Sequence, residues 1–175
     1  MMLTALLASL YLFAGLGPAP GTAVPQAERF AELGGDEGAT LVFVRSVVWC
    51  PYCQNQVIEL AAKAEDFEAA GRPLVIISYD KDEEQASFAE KHQLDLVFLS
   101  DEGSELIRAF GLLNEAHEPG SRAYGIPHPA VFVIDESGTV TARLYEEDYA
   151  VNDKSYRNRP AAETILRAAK GSPRS

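Results

Sequence analysis

The stretch Leu41-Val42-Phe43-Val44-Arg45-Ser46-Val47-Val48-Trp49-Cys50-Pro51-Tyr52-Cys53 sets an apolar, β-branched run directly before a Cys-x-x-Cys, and it holds the only two cysteines of 175 residues. Leu41 to Val47 reads as a strand, and Gln54 to Ala70 as a helix with Val57, Leu60, Ala61, Ala64 and Phe67 on one face. The spacing puts both sulfurs at the first turn of that helix, where unpaired N–H groups and the dipole favour a thiolate. A free cysteine, with a pKa of about 8.5, is only a few per cent thiolate at neutral pH, whereas Cys-x-x-Cys thiols fall to roughly 3.5 to 7.5. Cys50 is expected to be the exposed attacker, and Cys53, one turn further in, to close a disulfide after Cys50 has reacted. Pro51 suits a helix start because the donor it lacks is one the helix can spare, and Trp49 and Tyr52 supply an apolar lip.

Three other readings of the pair are a metal site, a structural disulfide and two inert core thiols. Structural zinc takes four ligands, and the chain offers no second Cys-x-x-Cys and no closely spaced His pair. A bridge across so short a loop restrains little of the unfolded chain. Redox chemistry is the reading that uses the spacing.

Outward from the motif, apolar runs alternate with amphipathic segments, the pattern of an α/β domain. Leu74 to Ser78 is a second strand, apolar enough to be covered on both faces, and Asp82 with Gln85 predicts a capping box opening a helix to His92. Leu96 to Leu99 reads as a strand, Ser104 to Phe110 as a short helix closed by Gly111, and Ala130 to Ile134 with Val140 to Tyr145 as a hairpin around Asp135-Glu136-Ser137-Gly138. Ala161 to Ala169 is the last helix. The polar loops Asn114 to Gly125 and Glu146 to Arg159, the latter bordered and studded by Tyr145, Tyr149 and Tyr156, are candidates for a lid or partner surface against the commoner reading of solvated insertions.

Fifteen basic against 26 acidic residues leave a net charge of −11, a surface that repels phosphate backbones and disfavours nucleic acid as a partner. Residues 1–23 read as a secretory signal or N-terminal anchor: Leu3 to Gly17 is almost wholly apolar, too short at about 15 residues to span a bilayer comfortably, and Gly21-Thr22-Ala23 offers small residues for cleavage. That reading implies export to the periplasm or beyond, no stable membrane span after cleavage, and a dithiol that needs a reductant to stay active.

Residues 28–170 resemble the thioredoxin-fold redoxins, in particular the peroxiredoxin-like proteins of the alkyl hydroperoxide reductase and thiol-specific antioxidant group. The carriers are the opening stretch, Ile77-Ser78-Tyr79-Asp80, Phe88-Ala89-Glu90-Lys91-His92, Leu99-Ser100-Asp101, Ala109-Phe110-Gly111 and Pro129-Ala130-Val131-Phe132-Val133-Ile134-Asp135. Cys-Pro-Tyr-Cys is also the glutaredoxin tetrapeptide, but the segment from Asp80 to Gly111 is foreign to those chains. The resemblance implies a thioredoxin-like fold with a central mixed β-sheet flanked by helices, a thiol oxidoreductase without a bound cofactor, a peroxide or protein disulfide as substrate, and a thiol reductant.

Departures from the family pattern bear on mechanism. Its Pro-x-x-x-Thr/Ser-x-x-Cys is met here by Phe43, Val47 and Cys50, and its Arg on the late strand by Pro129. Pro129 matches instead the cis-proline that faces the cysteines of thioredoxin-like disulfide oxidoreductases, which implies that His128 and Pro129 lie at the site with Trp49, Pro51 and Tyr52. Arg45, Ser46 and His128 are candidate replacements for the missing donors, against bland readings as a surface ion-pair partner, a strand-end cap and a polar filler; Glu59 is expected to face solvent. A second function, in a different class, is a thioredoxin-fold copper chaperone with Cys50, Cys53 and His128 as soft ligands. A third is a redoxin fold used only for binding.

Overall fold

The computed structural model describes residues 15–171. Five strands form one mixed sheet in the order β3-β2-β1-β4-β5: β1 is Ala39–Phe43, β2 Leu74–Ser78, β3 Val97–Ser100, β4 Ala130–Ile134 and β5 Val140–Tyr145. The strands β3, β2 and β1 are parallel, while β4 runs antiparallel to β1 and β5 to β4. Every residue of β1, β2 and β4 is buried, as continuous apolar runs with helices on both faces require. The central mixed sheet and flanking helices expected from the sequence are what the chain forms.

One face carries α2 (Pro51–Ala61), α3 (Ala64–Ala69), α4 (Asp82–His92) and α6 (Ala162–Lys170), packed on a core of Val42, Val57, Leu60, Phe67, Ile76 and Ile165 that includes both cysteines. The other face is aromatic. Phe43 meets Phe110 at 4.8 Å and Phe132 at 5.9 Å between ring centroids, with Phe30 of α1 (Ala27–Ala31) and the residues of α5 (Glu105–Ala109) closing around them.

Several expectations change in detail. β1 ends at Phe43 rather than Val47, because Ser46 and Val47 turn away to bond Asp80. The helix expected over Gln54 to Ala70 starts at Pro51 and breaks at Ala62-Lys63 into α2 and α3. At the start of α4 it is Glu84, not Gln85, that reaches back, accepting from Lys81 N at 3.0 Å. Gln85 is buried instead, donating to Ser78 Oγ and Leu99 O. The hairpin of β4 and β5 has the predicted bounds, and Asp135 Oδ1 gathers Ser137 N, Ser137 Oγ and Thr139 N in its turn.

Most of the apolar leader lies outside the described residues. Of its remainder, Leu16 is buried, Gly21 N bonds Val140 O, and Ala23 pairs with Thr139 beside β5. No helix among the described residues is long and apolar enough to cross a membrane.

Candidate active site

Cys50 is the N-cap of α2, with extended backbone (φ −99°, ψ 101°), and its Sγ accepts from Cys53 N at 3.3 Å while Pro51 occupies the first helical position. This meets one of the helix's orphan donors with sulfur, as a serine N-cap would with oxygen. Cys53, one turn in, is joined to Cys50 in a disulfide with the Cα atoms 5.3 Å apart. The exposed attacker expected at Cys50 is not what this state holds: Cys50 is 1% and Cys53 0% exposed, in a buried cluster with Val44, Val47 and Val57, while Tyr156 of the 146–159 segment packs on Tyr52 between them. Pro51 and Tyr52 are the exposed members of the motif.

The turn before the cysteines is held by Asp80, at the end of β2. Its Oδ1 accepts from Ser46 Oγ at 2.6 Å, and its Oδ2 accepts from Val47 N and Ser78 Oγ, both at 2.7 Å. Burial pushes the Asp80 carboxyl up from its ordinary range, and these three donors pull against it. Ser46 Oγ in turn accepts from Val48 N and Trp49 N. Gln54 Nε2 donates to Val47 O and Val48 O, so helix and turn are stitched together. Ser46 is thus engaged in shaping the loop, and its hydroxyl is not free to replace the family's Thr. Trp49 is fixed from the side: its Nε1 donates to Tyr79 Oη at 2.9 Å, and Tyr79 Oη donates to Arg122 O at 2.5 Å.

Arg45 is buried rather than a surface ion-pair partner. Its guanidinium lies 3.8 Å from the Tyr156 ring centroid and 5.2 Å from that of Trp49, and its Nε has no hydrogen-bond partner. Tyr156 also meets Tyr52 edge-on at 5.9 Å. The 146–159 segment is therefore a cover over the motif, and it carries a residue that sequence reasoning did not single out. Arg159 Nη2 donates to Cys53 Sγ at 3.5 Å. Burial lowers the Arg159 pKa to about 10, with the charge of Arg45 adding to the effect, so it stays cationic at neutral pH.

His128 and Pro129 line a broad groove of about 1440 Å³ with Arg45, His117, Tyr149 and Tyr156; neither sulfur is among its lining residues. The His128 ring packs on Tyr149 at 4.8 Å, and burial, then the charges of His117 and Arg45, lower its pKa to about 4. The His128–Pro129 bond is trans, against the cis bond implied by resemblance. His128 N is tied to Leu112 O at 2.7 Å and Pro127 pairs with Leu113, which carries the segment extended into β4. Glu59 faces solvent. Among the described residues no three metal-ligating side chains of the His, Cys, Asp and Glu type converge, so His128 does not join the two sulfurs as the copper-chaperone reading requires, and that reading is not favoured.

Comparison with known proteins agrees with this architecture. Peroxidoxin BcpB of Mycobacterium tuberculosis superposes with a TM-score of 0.67 at 23% identity, covering 91% of this chain and 99% of that one. The reduced Prx3 of Vibrio vulnificus, solved in complex with H2O2, gives 0.68 at 20% identity, covering 87% and 99%. Peroxiredoxin Bcp of Escherichia coli K12 is 33% identical over 100 residues, 57% of this chain and 64% of that protein, so the chain spans about two thirds of the length of such a relative. The family model described as AhpC/TSA matches residues 19–143, from the segment beside the hairpin through the cysteines and into β5. A match over that much of the sheet, with the Cys-x-x-Cys at the start of α2, places this chain in the AhpC/TSA family.

Proposed function

We propose that the chain is a thiol-dependent peroxidase that cycles between a Cys50/Cys53 dithiol and the disulfide. The observation that carries this is Cys50 as the N-cap of α2, its sulfur accepting a backbone N–H and already paired with Cys53, in a fold whose family reduces peroxides with a cysteine at that place. The Cys50 thiolate attacks the nearer peroxide oxygen. The O–O bond breaks, the leaving oxygen departs as water or an alcohol after protonation, and Cys50 is left as a sulfenic acid. The Cys53 thiolate then attacks that sulfur, hydroxide leaves, and the disulfide forms. Two electrons from an external dithiol, or from two thiols, restore the reduced pair.

The family's aligned donors are absent. Val47 brings no hydroxyl, and Ser46 spends its own on Asp80. Arg45, held between Tyr156 and Trp49 with an unpartnered Nε, is a candidate cation for a developing oxyanion, beside Arg159 on Cys53. In stopped flow, the reduced protein is expected to consume hydrogen peroxide with a rate constant per thiolate above that of a small-molecule thiolate at the same pH. A rate explained wholly by the thiolate fraction removes the peroxidase reading.

The apolar stretch from Leu3 to Gly17 supports export as a further part of this proposal. An exported pair would meet an oxidising compartment and depend on a dedicated thiol reductant. Recovery of the tagged chain only from the cytoplasmic fraction would contradict this.

A further inference from the structure

Arg159 reaches the disulfide from outside the part of the chain that the family match takes in, which ends at residue 143. The covering segment lays Tyr156 on Tyr52 and against the Arg45 guanidinium, and three residues later Arg159 Nη2 donates to Cys53 Sγ at 3.5 Å. Arg159 Nη1 donates to Asn158 O, and its Nε is buried with no acceptor. Glu146 is near enough to favour the charged form, yet the ion pairs among the described residues are Lys63–Glu163 and Lys170–Asp66, and neither includes Arg159. A guanidinium drawn out of water ordinarily meets a carboxylate. This one meets a sulfur, which in a disulfide is only a weak acceptor and becomes a strong one when the S–S bond opens and leaves a negative charge.

We propose that Arg159 is a catalytic residue of the dithiol cycle, holding Cys53 as the thiolate that leaves when a reductant attacks Cys50. The reductant thiolate forms a bond to Cys50 Sγ, the Cys50–Cys53 bond breaks, and its electron pair goes to Cys53 beside the guanidinium. The reductant's second thiolate then attacks its own sulfur in the mixed disulfide, and Cys50 leaves as a thiolate toward Cys53 N. The reductant ends as a disulfide and the protein as a dithiol. The two sulfurs thus have separate holders, a helix N–H at 3.3 Å for Cys50 and an arginine from a distant segment for Cys53. The same contact readies Cys53 to attack the Cys50 sulfenic acid in the oxidative direction. Exchange rates depend on the pKa of the leaving thiol, so a cation at Cys53 quickens reduction.

This rests on the reading of the cysteines as a cycling pair, but its test needs no peroxide, so a chain that fails as a peroxidase can still be judged. The oxidised protein is mixed with dithiothreitol and followed by the fluorescence of Trp49, the only tryptophan. Arg159→Gln is expected to slow reduction about fivefold to tenfold, the share of a charge-assisted hydrogen bond felt in the transition state, and Arg159→Lys to recover part of the loss. In a Cys50→Ser background, ultraviolet titration of the Cys53 thiolate is expected to shift upward by about one pH unit with Arg159→Gln. In a Cys53→Ser background, Cys50 is expected to keep its titration. An unchanged reduction rate overturns the proposal, and so does a slower rate with an unmoved Cys53 titration, which marks a role in packing alone. Where Arg159→Gln does not fold, Arg159→Lys is measured alone and read in the opposite sense: it retains the charge and is expected to lose less than about fivefold in rate with the Cys53 titration moved by less than about half a pH unit, and a tenfold loss or a shift of a full unit overturns the proposal.

Discussion

Replacing Asp80 tests whether the turn before the cysteines is held from β2. The carboxylate is 4% exposed and accepts three hydrogen bonds, from Ser46 Oγ at 2.6 Å and from Val47 N and Ser78 Oγ at 2.7 Å. Asp80→Ala leaves the Val47 N–H buried without an acceptor. The two hydroxyls keep only the bonds they accept, Ser46 from Val48 N and Trp49 N and Ser78 from Gln85 Nε2. An orphaned buried donor costs about 1–3 kcal/mol, so three partly orphaned donors amount to about 5 kcal/mol at the gross level. Burial, which raises the Asp80 pKa, shows that the carboxylate itself is held at a desolvation cost, and its removal returns part of that sum. The net expectation is a loss of about 3 kcal/mol for Asp80→Ala. Asp80→Asn keeps an oxygen for Val47 and Ser78 and sheds the charge, at the expense of the Ser46 donor, for about 1 kcal/mol. Urea unfolding of both variants, read as a change in midpoint at unchanged slope, measures the two numbers. A loss below about 1 kcal/mol for the alanine variant, or equal losses for both, would refute the view that hydrogen bonds rather than apolar packing fix this turn.

Two further outcomes follow from the same geometry. Cys50→Ser is expected to abolish turnover and Cys53→Ser to trap a mixed disulfide on Cys50, visible by mass spectrometry after exposure to the reductant pool; trapping only in Cys50→Ser reverses the order of attack. His128 has a pKa of about 4 in the fold against the ordinary 6.5, so the unfolded chain alone binds its proton between those values. Its contribution to stability is complete above about pH 6.5 and is lost as the pH falls toward 4. A shift from 6.5 to about 4 is worth about 3–4 kcal/mol at most, and partial exposure reduces this to about 1–2 kcal/mol. His117, lowered by its own burial and by Arg45, acts in the same sense. The unfolding midpoint of His128→Asn is expected to fall less between pH 7 and 4.5 than that of the parent, and parallel profiles would count against a neutral, buried His128.

The sheet and the motif were legible because their signals are local. β2, β4 and β5 declare themselves as short apolar runs bounded by turn residues, and the predicted bounds for all three are those found. What could not be read is what depends on contacts distant in the chain. Nothing near Asp80 in sequence says that it accepts from Ser46 and Val47, more than 30 residues away, and so shortens β1. The break between α2 and α3 leaves no mark in the apolar spacing. The 146–159 segment was visible as a polar, tyrosine-bearing loop, but its docking on Tyr52 and Arg45 is tertiary, and Arg159 in particular carries no local signature. The cis bond at Pro129 was carried by analogy alone, and the bond is trans, with His128 N tied to Leu112 O and Pro127 paired with Leu113.

The two cysteines meet opposite electrostatic requirements with different parts of the fold. At its start, α2 offers the N–H of Cys53 to Cys50, and a helix start can favour negative charge only within its first turn. A second thiolate at Cys53 would be repelled by the first at this spacing unless a separate positive charge faced it. The chain as a whole carries −11, but surface charges are screened over about 8 Å in physiological salt and contribute little at a buried sulfur. The local charge is the reverse of the global one: Arg45 lies close enough to Arg159 to add to the lowering that burial imposes on that guanidinium, and burial, with His117 and Arg45 adding to it, keeps His128 neutral. Two cations held together under an aromatic cover are a cost to the oxidised state, in which the sulfurs are uncharged. That cost is relieved when reduction creates anionic sulfur against Arg159. The cover is therefore expected to bias the pair toward the dithiol, the form that the proposed cycle consumes. Removing either arginine is accordingly expected to make the disulfide harder to reduce at equilibrium as well as in rate, measurable against a glutathione redox buffer; a midpoint that moves toward easier reduction on losing Arg45 would break this link between cover and redox poise.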